Sequence, residues 1–362
     1  MPANGKMKDQ SIDRSESFYF HNIHNVLSIE SNVNLDMPEF FRCETSTPGQ
    51  SLLAVTVKKD IPDLTDDISL VGLQARYNRL DDVLYFEHPW SSSVLPIKLS
   101  IKHLNETVTE VCATRLFHRY AHWFDPTVKL GKIVRQLMTL KFLSCNHALV
   151  HAGCIDSKGE GVLVAAFADT GKTRSTLGLC ARTDCGFLSD DITIINSFGE
   201  CLCFPSSSSI NPRTLRNMKV GLPFRERLKL KMTETRNRMH PARVFGPSMK
   251  VQIEKFLPRE KIVTKTKPST IVFLEKGNES VQEIDQPEAE SKLSLITEKE
   301  IPWFTDSITN VYGYFNKLFD VKDLMQNQQT IIGLVTRKAK RYFIVRSNGR
   351  HDLFLEKILT HL

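Results

Sequence analysis

Residues 166–174 carry the densest chemistry in the chain. The octet Ala166, Phe167, Ala168, Asp169, Thr170, Gly171, Lys172 and Thr173, followed by Arg174, ends in a Gly-Lys-Thr triplet. At a junction between a strand and a helix, such a triplet lets successive main-chain amides wrap the phosphates of a nucleotide. Lys172 would then reach the outer phosphates as a point charge, and Thr173 would offer its hydroxyl to Mg2+. Ala166 stands where the usual pattern has its first glycine, which is tolerable at negative φ. Asp169 adds a negative charge to a loop meant for anions. The alternative reading of the triplet is a plain helix start.

A pair of carboxylates, Asp190 and Asp191, follows 18 residues beyond Lys172 inside the apolar run Gly186–Ile195 (GFLSDDITII). Burying two acids there without a cation would be costly. Neighbouring strand residues point to opposite faces, so the two need different tasks. One can hold Mg2+ and the other can take a proton from an attacking hydroxyl. We assign Asp190 to the proton and Asp191 to the metal together with Thr173, and leave the exchange of the two open. His151 precedes Lys172 by 21 residues in another apolar run. By position alone it is a core histidine as readily as a catalyst.

The elements needed to position these groups are legible around them. Ala148–Asp156 and Gly161–Ala166, separated by SKGEG, read as a hairpin whose second strand enters the octet, and Lys172–Ala181 reads as a helix. Gly186–Ile195 reads as the next strand. Upstream, Ser51–Val57, Asp82–Phe86, Leu95–Ile101 and Thr107–Ala113 show strand-like runs, which makes residues 21–125 a β-rich region after a loose tail over 1–20. Lys129–Leu143 has the spacing of a helix with one buried stripe. Further on, Thr270–Leu274, Ile331–Val335 and Arg341–Val345 read as strands, 278–297 as a polar acidic segment, and His351–Leu362 as a helix. The expected fold class is therefore α/β with a mixed sheet, and residues 126–362 form the part that carries the octet.

The stretch His151–Ile195, with its histidine, GVLV strand, DTGKT and LSDDITI, resembles the C-terminal catalytic domain of HPr kinase/phosphorylase and, more distantly, the nucleotide loop of phosphoenolpyruvate carboxykinase. The close match covers about 45 residues; CFPSSSSINPRT and KPSTIVFLEKG are similar only in texture. The resemblance implies a P-loop kinase core of that type, with ATP as donor, Mg2+ as cofactor and His151 in the active site. It also implies a homo-oligomer. The Arg-Gly signature segment of HPr kinases is not found downstream, so the expected acceptor is a hydroxyl of another protein or of a small molecule. A nucleotide-binding sensor without turnover is the alternative from another class.

Composition sets the outer bounds. The chain has 362 residues, 41% hydrophobic and 25% charged, with a net charge of +7, which excludes a disordered or low-complexity protein. No apolar run reaches the ~18 residues of a membrane-spanning helix, and the N-terminus is polar, so no membrane partner and a cytoplasmic location are expected. Sixteen Lys and Arg against four Glu fall between Arg213 and Lys267. That segment could fold over a nucleotide or receive an acidic partner. Its aromatic residues, Phe224, Phe245 and Phe256, are too sparse for a base-stacking platform, and nucleic acid is not favoured. Eight cysteines without CxxC pairs read as reduced thiols, and His118 and His122 as a structural pair.

Overall fold

In the computed structural model, residues 18–63, 68–71, 75–88, 91–124, 129–206, 208–210, 249–253, 257–305, 307–348, 353, 355 and 356 are described. Residues 1–17 of the tail expected over 1–20, and most of the basic segment, lie outside these residues. The N-terminal region forms a mixed sheet from β1 (Tyr19–Ile23), β2 (Leu27–Ser31), β3 (Arg42–Cys43), β4 (Ser51–Lys58), β5 (Ile68–Val71), β6 (Ala75–Asn78), β7 (Val83–Glu87), β8 (Lys98–Lys102) and β9 (Val108–Thr114). Their order is β3-β1-β2-β4-β9-β8-β7-β6-β5, with β4 parallel to both β2 and β9. Along β4, buried and half-buried side chains alternate from Ser51 to Val57, the period-two pattern of a sheet with one face on the core.

Two helices lead away from this sheet, α1 (Arg115–Phe124) and α2 (Leu130–Ser144). The expected single stripe on α2 is too narrow, because Leu137–Leu143 are buried on every side. The helix lies between β2 and β4 on one side and elements of the second half of the chain on the other. Leu53, Val111, Leu137, Phe142, Leu149 and Ile194 thus belong to one continuous apolar core. Each fully buried side chain of this size contributes about 1.5–3 kcal/mol.

The second sheet contains β10 (Ala148–Val150), β11 (Ala152–Ser157), β12 (Glu160–Ala165), β13 (Gly186–Ser189), β14 (Thr193–Ile195), β15 (Cys201–Leu202), β18 (Lys265–Glu275), β19 (Ser280–Glu283) and β20 (Arg341–Arg346), while β16 (Ser208–Ile210) and β17 (Met249–Val251) pair separately. At its centre β12, β18 and β20 run parallel. β11 and β12 form the expected hairpin, and Lys158 and Gly159 both take positive φ in its turn, as a tight primed turn requires. The helices are α3 (Lys172–Arg182), α4 (Gln286–Glu300), α5 (Ser307–Phe315) and α6 (Val321–Lys338). The architecture is therefore mixed α and β with mixed sheets.

Several sequence expectations need correction here. His151 does not lie within a strand: it sits at the break between β10, which pairs with β14, and β11, which pairs with β12 and β13. Asp190 and Asp191 likewise fall in a bend between β13 and β14, so the alternation of strand side chains does not apply to them. Ile331–Val335 is helical, within α6, because Gln328, Ile331, Ile332 and Val335 recur at helical spacing and are all buried. The acidic segment 278–297 contains β19 and most of α4, started by Asp285, whose side chain accepts a hydrogen bond from the Glu288 amide. Tyr19 and Phe20, expected in the tail, belong to β1. Of the C-terminal helical pattern, only residues 353, 355 and 356 are described, and they are helical. No helix among the described residues is long and apolar enough to cross a membrane.

Candidate active site

The octet runs from the end of β12 to the start of α3, the C-terminal end of a central parallel strand. Ala166 is buried and keeps a negative φ, the condition that lets alanine stand in the glycine position. Asp169 takes φ 60°, a conformation that a short polar side chain tolerates. Gly171 precedes the helix at φ 109°, where a Cβ would be strained, and its carbonyl accepts the Ser175 amide at 3.0 Å. Thr170 Oγ1 donates to the Phe167 carbonyl at 2.9 Å, closing the loop on itself, while the Phe167 ring is exposed. Arg174 is half-buried in the first turn of α3.

The two acids face different partners. Thr173 Oγ1 donates to Asp190 Oδ2 at 3.2 Å. Lys172 Nζ lies 3.3 Å from Asp191 Oδ1 and donates to the Asp191 carbonyl at 3.2 Å. His151 Nδ1 is 3.6 Å from the same Asp191 Oδ1. Asp190 is buried, 1% exposed, whereas 42% of the Asp191 side chain is open to solvent. The close approach beneath them depends on Gly153 of β11: a Cβ there would meet Thr176 Cγ2 at 2.8 Å and the Asp190 and Ser189 carbonyls at 3.1 and 3.2 Å.

Electrostatics follow from burial and these contacts. Burial, reinforced by the charge of Lys172, pushes the His151 imidazole down to about 4 against Asp191 and Glu300, so it is neutral near pH 7. Its Nε2 is buried and has no hydrogen-bond partner among the described residues. A neutral imidazole with one nitrogen near a carboxylate has an acceptor available at the other. Burial also lowers the Lys172 ammonium, against Asp191, Asp190 and Glu300, which raise it. For Asp191, burial acts upward but is outweighed by Lys172, His151 and Arg135, which hold it below the usual carboxylate range.

Thus the structure brings His151, Lys172, Thr173, Asp190 and Asp191 together. Sequence reading missed the C-terminal turn of α4. Thr297 Oγ1 accepts the His151 amide at 3.3 Å, and Glu300 Oε1, one turn further, accepts the Ala168 amide at 3.3 Å. The start of α4 was readable, since Asp285 and Glu288 have the spacing of an N-terminal cap. Its docking on the octet had no signal in the sequence. Thr173 and Asp190 together present oxygen donors of the kind Mg2+ takes, so their chemistry fits that ion. The cysteines are all free, five buried and three half-buried. No protein-family model matches the chain, and no curated protein matches it.

Proposed function

We propose that the chain is an ATP- and Mg2+-dependent phosphotransferase with a P-loop core of the HPr kinase type, acting on a hydroxyl of a protein or small molecule. The observation that carries this reading is the division of the acid pair: Asp190 joins the Thr173 hydroxyl, and Asp191 joins Lys172 and His151. It favours exchange of the two roles, with Thr173 and Asp190 as the residues that would hold Mg2+ and Asp191 as the base. When bound, the ion supplies charge neutralisation for the donor phosphates.

In this reading the octet amides and Lys172 orient the donor, and His151, whose Nδ1 lies 3.6 Å from Asp191 Oδ1, positions the carboxylate that meets the incoming hydroxyl. The acceptor O–H proton passes to Asp191. The acceptor oxygen bonds to the terminal phosphorus as the bond from that phosphorus to the leaving diphosphate oxygen breaks. Phosphoryl transfer asks mainly for positioning and charge stabilisation, which is what these groups supply.

Calorimetric titration with ATP and Mg2+, run beside transfer of labelled phosphate to a panel of hydroxyl compounds and proteins, tests the proposal. Binding with transfer supports it. Binding without transfer to any acceptor or to water favours a nucleotide sensor, a reading to which the Glu300 carboxylate on the octet lends support. Absence of binding removes both.

A further inference from the structure

A second cluster of metal-ligating side chains lies away from the octet, where the β7–β8 end of the N-terminal sheet meets α5. Asp82 immediately precedes β7 and His103 immediately follows β8, so they extend that antiparallel ladder by one pair, and the His103 amide donates to the Asp82 carbonyl at 3.1 Å. Glu106 sits one turn beyond His103, with its amide on the His103 carbonyl at 3.1 Å. His103 Nδ1, Asp82 and Glu106 each offer one ligand atom, all within 4.8 Å of one another. His103 Nδ1 lies 3.3 Å from Glu106 Oε1 and 3.9 Å from Asp82 Oδ2.

We infer that Asp82, His103 and Glu106 form a site for a divalent first-row cation of the Zn2+ class. Three observations carry this. First, bond lengths of about 2.0–2.1 Å place two ligand atoms of a tetrahedral ion about 3.3 Å apart, which matches the 3.3 Å between His103 Nδ1 and Glu106 Oε1, while Asp82 Oδ2 at 3.9 Å needs to move inward. Second, His103 Nδ1 is shielded from solvent yet makes no hydrogen bond among the described residues. At 3.3 Å an oxygen in line with the ring N–H would be bonded. The Glu106 oxygen therefore lies off that axis, as in a chelate, where the ion occupies the axis itself. Third, the ligands are held from behind. Asp82 accepts from Tyr77 Oη at 2.6 Å, from Tyr312 Oη at 2.6 Å and from Asn316 Nδ2 at 3.4 Å.

The turn carrying His103 and Glu106 is fixed by Lys141 of α2. Its ammonium donates to the Leu104 carbonyl at 2.8 Å and also to the Glu106 carbonyl. Such outer contacts orient ligands and raise metal affinity. With three protein ligands the fourth position falls to water. Because Asp82 is also bonded to Tyr312 of α5 and to Asn316 just beyond it, the ion would lock the N-terminal sheet to the second half of the chain.

The test is calorimetric titration of the chelator-stripped full chain with Zn2+, with Co2+ absorption to read the geometry and thermal unfolding with and without Zn2+. One ion per chain lost in His103→Gln, weakened in Glu106→Gln on the order of tenfold to 100-fold and retained in Asp190→Asn, with a Zn2+-dependent rise in Tm in the wild type, supports the site. Circular dichroism confirms that each variant is folded. If the wild type takes up no Zn2+, or if binding is unchanged in His103→Gln, the inference is overturned. Loss in Asp190→Asn with retention in His103→Gln would place the ion at the octet and overturn it equally.

Discussion

Glu300 Oε1 accepts a 3.3 Å hydrogen bond from the Ala168 main-chain amide, across 132 residues of sequence. Its charge also bears on Lys172 and His151, so a carboxylate stands within the field of a loop suited to anions. Glu300→Gln keeps an acceptor for the amide and removes the charge. Affinity for ATP should rise about tenfold, or ~1.4 kcal/mol, as like-charge repulsion in a partly buried site is relieved. Calorimetry reads this directly, and weaker binding in the variant would mean that the carboxylate serves the nucleotide rather than opposing it.

Lys172→Met preserves the length and apolar stem of a buried side chain while deleting its ammonium. Phosphate transfer should fall by about 100-fold or more, the usual loss for one charge-stabilising donor. Circular dichroism should stay unchanged. Turnover at a comparable rate would count against the mechanism.

Asp190→Asn and Asp191→Asn should separate in their kinetics. Asp190 shares Thr173, so its variant should need about tenfold more Mg2+ for half-maximal rate, a loss of ~1.4 kcal/mol. Asp191→Asn should lower kcat with little change in the Mg2+ requirement. The opposite pattern would restore Asp191 to the metal and Asp190 to the proton.

His151 makes stability depend on pH. Its folded-state value of about 4 lies below the ordinary 6.5, so the unfolded chain binds the extra proton between these limits. Stability from this group is therefore complete above pH 6.5 and is lost as pH falls towards 4, a span worth roughly 3 kcal/mol. Burial lowers His21, His24 and His147 too, so they act in the same direction. Urea unfolding of wild type and His151→Gln at several pH values isolates the difference: the variant's curve should be flatter, and parallel curves would contradict a buried neutral imidazole.

Gly153→Ala would place a methyl against Thr176 of α3 and the carbonyls of Ser189 and Asp190. Overpacking of this kind costs about 1–3 kcal/mol. It should also part Thr173 from Asp190 and raise the Mg2+ requirement. A variant with unchanged stability and unchanged Mg2+ dependence would show that the contact relaxes without moving the acid.

What could be read from the sequence was local. The Gly-Lys-Thr triplet sits where a strand gives way to a helix because its glycine, its charge and the apolar run before it all act within a few residues. The turn at Lys158–Gly159 and the alternation along β4 were legible for the same reason. The breaks at His151 and at Asp190–Asp191 were not, since each depends on strands exchanging partners across the sheet. In α6, the run Ile331–Val335 misled because a short apolar stretch has no period of its own; only Gln328 beside it, buried and bonded to Trp303 Nε1 at 2.8 Å, reveals a helix packed on its inner side. The acid pair was found from its composition, but the partner of each acid depends on where α3 meets the sheet.

The last turn of α4 touches the machinery at two points, Thr297 on the His151 amide and Glu300 on the Ala168 amide, at separations of 146 and 132 residues. A nascent polypeptide that has emerged from the ribosome only as far as β18 already holds every motif residue, yet lacks the piece that ties them down. Completion of the candidate site is thus deferred until late in synthesis, and a fragment cut before residue 286 would carry the signature without the contacts that hold it.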